Sequence, residues 1–131
     1  MAVPKTMTAA ANILVVDDDA DIRVNACDLL EDRGFRVDVA ADGKSALQLV
    51  RQNHYDVALL DFQMPDMNGA ELYDQIRELQ PGTVAAIITG YAGSDRIQRG
   101  KAAGEWHVLS KPVDFEHVFR FIQNALGKPG Q

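Results

Sequence analysis

Residues Ile13–Arg23 read "ILVVDDDADIR", four apolar residues running into three adjacent aspartates with a fourth at Asp21. The apolar half reads as a buried strand, and the acidic half begins where that strand must end. Two carboxylates ~4 Å apart at an effective dielectric near 20 repel by roughly 4 kcal/mol. A fold that keeps them together therefore needs something to neutralise them. The same form returns along the chain. "DVALLD" ends at Asp61, "TVAAIIT" at Thr89, and "WHVLS" runs into Lys111-Pro112, while "FRVDVA" supplies one more short β-branched run.

Between these runs lie segments with apolar residues at helical spacing. The first carries Ile22, Ala26, Leu29 and Leu30 and stops at Gly34, suited to a helix C′ position. The second carries Ala46, Leu47 and Val50, and the third Leu72, Ile76 and Leu79 before Pro81-Gly82. The last has a stripe of Phe115, Val118, Phe119, Ile122 and Leu126, with Phe121 about 100° off it. "SDRIQRGKAAG" is the weakest, because it has few large apolar residues and Gly100 costs roughly 1 kcal/mol relative to Ala. Its low local stability makes it the helix expected to move.

Strict alternation of five strands and five helices predicts an α/β, doubly wound (βα)5 fold with a parallel sheet. Ligands of such sheets bind beyond the carboxyl ends of the strands. Asp17, Asp18, Asp61, Thr89 and Lys111 all fall there. Clustered hard oxygen ligands suit Mg²⁺. A carboxylate can also attack phosphorus, a transfer that needs chiefly alignment and charge neutralisation.

Composition narrows the remaining classes. The chain has 131 residues, 47% of them hydrophobic, enough for one domain with one core. With 13 basic and 19 acidic residues, net −6, and no Lys/Arg run, nucleic-acid and anionic-membrane binding are not expected. The lone Cys27 forms no internal disulfide and reads as a packing residue, and no run approaches the ~18 apolar residues of a membrane span. A cytoplasmic protein is expected. His54, His107 and His117 share no ligand spacing. The turn after the first strand is acidic, which excludes a glycine-rich nucleotide loop, and "DMNG" at Asp66–Gly69 lacks the spacing of an EF-hand. A haloacid-dehalogenase-like phosphatase would need a second acid where Gln63 stands.

Together, "ILVVDDDADIR", "DVALLDFQMPDMNG", "AIITG" and "VLSKPVD" resemble the receiver domain of two-component response regulators, over about residues 12–126. The resemblance implies a flavodoxin-like sheet in strand order 2-1-3-4-5. It implies Asp61 as phosphoacceptor, with Asp17, Asp18, Asp61 and the Gln63 backbone carbonyl holding Mg²⁺. Thr89 would hydrogen-bond the phosphoryl group and Lys111 pair with it, Pro112 following a cis peptide bond. Gly69 would relieve a steric conflict after the loop carrying Met64-Pro65. A phosphoprotein of a bacterial two-component system is implied, accepting its phosphoryl group from a histidine kinase or histidine phosphotransfer protein. Such a protein assists its own modification and is not a turnover enzyme. A homodimer through helix four, strand five and helix five is a further implication.

The chain departs from that pattern at Val108, where many receivers carry a rotating aromatic. Tyr91, Trp106 and His107 are the nearby aromatic substitutes, and Phe121 is either rim packing or an exposed partner anchor. Tyr91 and Gln63 also occupy positions that in the family tune phosphoryl lifetime. The competing reading is a receiver-like interaction module that signals without phosphorylation. Asp19 is expected to cap the first helix and Asp21 to favour its dipole. Residues 1–11 read as a flexible tail, 12–127 as the receiver domain, and 128–131 as a tail or linker start.

Overall fold

The computed structural model describes residues 10–127. In chain order it runs β1 (Asn12–Val16), α1 (Ala20–Asp32), β2 (Arg36–Ala40), α2 (Gly43–Gln52), β3 (Val57–Asp61), α3 (Gly69–Leu79), β4 (Val84–Thr89), α4 (Asp95–Ala102), β5 (His107–Ser110) and α5 (Phe115–Gly127). All strand pairings are parallel, as the alternation predicts, and the sheet order is β2-β1-β3-β4-β5, as the resemblance implies. Most of the tails read from sequence lies outside the described residues. Ala11, however, is buried, and its carbonyl accepts the Arg36 N–H at 2.9 Å, so the packed unit already includes it.

Alternation along each strand divides the core in two. Leu14, Val16, Ala58, Leu60, Ala85 and Ile87 face α2, α3 and α4. Ile13, Val15, Val57, Leu59, Ala86 and Ile88 face α1 and α5. Burial on both sides explains why β3 and β4 read as nearly unbroken apolar runs.

The helix ends follow from local chemistry. Asp19 caps α1, its carboxylate accepting the Asp21 N–H at 2.9 Å and the Ile22 N–H at 3.4 Å. At the other end Gly34, at φ +94°, allows the Gly34 N–H to reach Glu31 O and the Phe35 N–H to reach Leu30 O. That pair of bonds is a Schellman ending. Asn68 and Glu71 form a capping box on α3, with bonds of 2.8 and 2.9 Å.

Three stripe residues are corrected by the fold. Leu29, Leu79 and Leu126 are exposed at 41%, 46% and 42%. Leu29 lies to the side of the Ala26–Leu30 contact line. Leu79 closes α3 and Leu126 lies in the last turn of α5, away from the main helix–sheet contact.

Gly100 is corrected too. An ideal Cβ there would lie 2.0 Å from the Trp106 ring, so the residue that weakens α4 in isolation is the one that seats Trp106. The indole N–H donates to Ile97 O at 3.2 Å and the ring meets Tyr73 edge-on at 5.4 Å. Glu105 bridges Arg77 and Arg96 at 3.7 Å each, with Arg77 over the Tyr73 ring and Arg96 over the Trp106 ring. The helix expected to move is thus pinned to α3 and β5.

Candidate phosphoacceptor site

The carboxyl ends of the strands bring the predicted residues together. Asp61 is the last residue of β3, Thr89 the last of β4, and Asp17 follows β1 directly. Asp17, Asp61 and Thr89 are each only 2% exposed, whereas Asp18 lies open to solvent. One carboxylate oxygen from each of Asp17, Asp18 and Asp61 falls within 4.8 Å of the others. Lys111 Nζ stands 3.0 Å from Asp61 Oδ1.

Backbone bonds hold these side chains in place. The Asp17 N–H donates to Ala40 O at 3.1 Å, and Asp17 Oδ1 accepts the Asp19 N–H at 2.9 Å. Arg23, which the sequence reading missed, donates from Nη1 to the Asp17 carbonyl at 2.8 Å. The Lys111 N–H donates to Thr89 O at 2.9 Å, just before a cis Lys111–Pro112 bond. Thr89 Oγ1 accepts the Tyr91 N–H at 2.9 Å, which leaves the hydroxyl proton free to donate. The Gly69 N–H closes the loop onto Phe62 O at 2.8 Å. A Cβ at Gly69 would stand 2.8 Å from the Asp61 carbonyl, the conflict its glycine avoids.

The electrostatics are unresolved by the protein alone. Burial pushes the Asp17 carboxyl above the ordinary range, against the Asp19 N–H bond, and Asp61 repels it further. Burial also raises Asp61, although Lys111 and the Gln63 N–H pull it down. For Lys111, burial works against the ammonium, but the hydrogen bond and charge of Asp61, then Asp17 and Asp18, outweigh it and raise its pKa. One ammonium faces three carboxylates. Their oxygens are close enough to converge on a hard cation, since octahedral bonds of about 2.1 Å put ligand oxygens roughly 3.0 to 4.2 Å apart.

The four switch or partner residues separate. Tyr91 is 67% exposed on the loop after β4, and Trp106 is buried under α4. Val108 is half-buried against the α2–α4 side of the core. Phe121 is buried, its ring 5.0 Å from that of His107, so the exposed-anchor reading of this residue fails and the rim-packing reading holds.

A doubly wound domain with this constellation at its strand ends is, by class, a receiver-type signalling domain. A family model, the response regulator receiver domain, matches residues 13–123. The chain belongs to this family of two-component response regulators. It is 39% identical over 100 residues to a response regulator receiver protein of Anaeromyxobacter sp., a match covering 76% of this chain and 42% of that one. It is 31% identical to sporulation initiation phosphotransferase F of Bacillus subtilis, covering 87% of this chain and 92% of the relative. A CheY-like receiver domain structure from Methanospirillum hungatei superposes with a TM-score of 0.84 at 31% identity, over 90% of this chain and 94% of that one. Among the described residues no helix is long and apolar enough to cross a membrane.

Proposed function

We propose that this receiver accepts a phosphoryl group on Asp61 from a histidine kinase or histidine phosphotransfer protein, with Mg²⁺ bound. The observation that carries the reading is the Lys111–Asp61 contact of 3.0 Å inside a cluster of three carboxylates. Asp17, Asp18, Asp61 and the Gln63 carbonyl would hold the cation, which when bound supplies charge neutralisation at the phosphoryl oxygens. An Asp61 oxygen forms the new P–O bond as the P–N bond to the donor imidazole breaks. Lys111 meets the charge on the transferred group, and the Thr89 hydroxyl donates to one of its oxygens. The domain is a signalling element that assists its own modification. Tyr91 and Gln63, both exposed and each two residues beyond a site residue, would restrict the attacking water by their bulk and so set phosphoryl lifetime, which dephosphorylation rates of wild type and Tyr91→Ala would show as a faster loss in the variant.

Incubation with a small phosphodonor and Mg²⁺ is expected to add the mass of one phosphoryl group to wild type and none to Asp61→Asn. An unmodified wild type would favour the non-phosphorylated interaction module. The α4–β5–α5 face, where Lys101, His107 and Asn124 line a shallow groove, is the proposed dimer surface. Sedimentation with and without beryllofluoride tests it, and an unchanged monomer would remove it.

A further inference from the structure

Asp66 stands outside the phosphoacceptor constellation, and its own element gives it no role. It lies exposed in the β3–α3 loop, yet its two carboxylate oxygens are both used. Oδ1 accepts the Gly43 N–H at 3.0 Å and Oδ2 the Lys44 N–H at 2.9 Å, the first two amides of α2. Asp42 takes the third, the Ser45 N–H, at 2.8 Å. One helix start therefore carries two capping carboxylates, one from its own segment and one from a loop more than twenty residues later. Helix starts leave these amides without partners in the helix itself. A single N-cap ordinarily supplies one or two of the bonds needed. The added carboxylate does something for the loop as well as for α2.

The neighbouring contact says the same. A Cβ at Gly43 would lie 2.5 Å from Met67 Cγ, so Met67 is pressed against the backbone at the start of α2. The loop is thus held at Phe62, whose N–H donates to Ile88 O and whose carbonyl accepts the Gly69 N–H, and again at Asp66-Met67. Gln63 lies between the two points. Its N–H lies on the side of the Asp61 carboxylate that it helps to hold in the charged form, and its carbonyl is the cation ligand proposed above.

We infer that Asp66 is a positioning residue for the phosphoacceptor site, clamping the β3–α3 loop to the start of α2 and so setting where Gln63 meets Asp61 and the cation. The inference rests on the reading of the site as a cation-assisted phosphoacceptor. The two amide donors also hold the Asp66 carboxyl below its ordinary range, so it stays a charged acceptor through neutral pH.

Asp42 is the internal control, because its carboxylate caps the same helix from the helix's own segment, at the Ser45 N–H. Mn²⁺ binding by electron paramagnetic resonance and metal-free thermal melting are measured on wild type, Asp66→Ala, Asp66→Asn and Asp42→Ala. Asp66→Ala is expected to weaken Mn²⁺ binding on the order of tenfold, the lower end of what outer-shell partners contribute. Asp66→Asn, which keeps an oxygen acceptor, should fall between it and wild type and serves where the alanine variant does not fold. Asp42→Ala should lower the melting temperature and leave Mn²⁺ affinity unchanged. Equal losses of affinity in Asp66→Ala and Asp42→Ala, or none in Asp66→Ala, would overturn the inference. A wild type that binds no Mn²⁺ would overturn the reading of the site, and the inference with it.

Discussion

At the amino ends of the strands, the Gln80 amide donates to Val50 O and Asn53 O at 2.7 and 2.6 Å and accepts the Tyr55 N–H at 2.9 Å. The Thr83 hydroxyl donates to Tyr55 O at 2.7 Å, the Tyr55 hydroxyl donates to Asp38, and Asp56 takes the Asn12 N–H at 2.9 Å. At the carboxyl ends, Asp17 and Asp61 are buried beside Asp18, with Lys111 the one ammonium paired with them among the described residues. The first rim is polar and closed on itself. The second is polar and incomplete, with burial raising the Asp17 and Asp61 carboxyls and a single ammonium, that of Lys111, set against the cluster. Stability is made at one end of the sheet, and a binding requirement is kept at the other.

This contrast is open to measurement. Mg²⁺ at a hundredfold excess over its dissociation constant is expected to stabilise wild type by about 2.7 kcal/mol in denaturant titrations, entirely through the carboxyl rim. Gln80→Leu should cost about 2 kcal/mol by stranding the Tyr55 N–H and two carbonyls, with Mg²⁺ affinity intact by calorimetry. If affinity fell as well, the two rims would not be independent. Asp18→Asn should do the reverse, abolishing Mg²⁺ binding and phosphorylation while gaining about 1 kcal/mol of metal-free stability, because one screened repulsion disappears. A metal-free loss instead would mean that Asp18 is structural. Asp19→Ala, one residue further on, should cost a little under 1 kcal/mol in the same titrations through the lost cap and leave phosphorylation unchanged.

The carboxyl rim was legible because its signals are local: an apolar run followed at once by an acid, a hydroxyl or Lys-Pro. The strand order and the roles of the individual acids came from resemblance, since periodicity alone permits other orders. What escaped the sequence was contact between elements. Gly100 reads as a helix-weakening residue until the Trp106 ring is placed against it. Asp66 reads as a loop acid until α2 is brought to it, a separation that leaves no local pattern. Phe121 lies off the apolar stripe, and only the position of β5 shows that His107 covers its ring. Arg23 looks like a solvated helix residue, yet its guanidinium reaches back to the Asp17 carbonyl.

The seating of Trp106 has an optical consequence. It is the only tryptophan in the chain, buried, with its indole N–H on Ile97 O and its ring on Gly100 of α4. Its fluorescence is therefore a native gauge of a single joint. While α4 stays docked the emission is that of a shielded indole. Lifting the helix admits water and shifts the emission to the red, with no dye or label to disturb the balance being read.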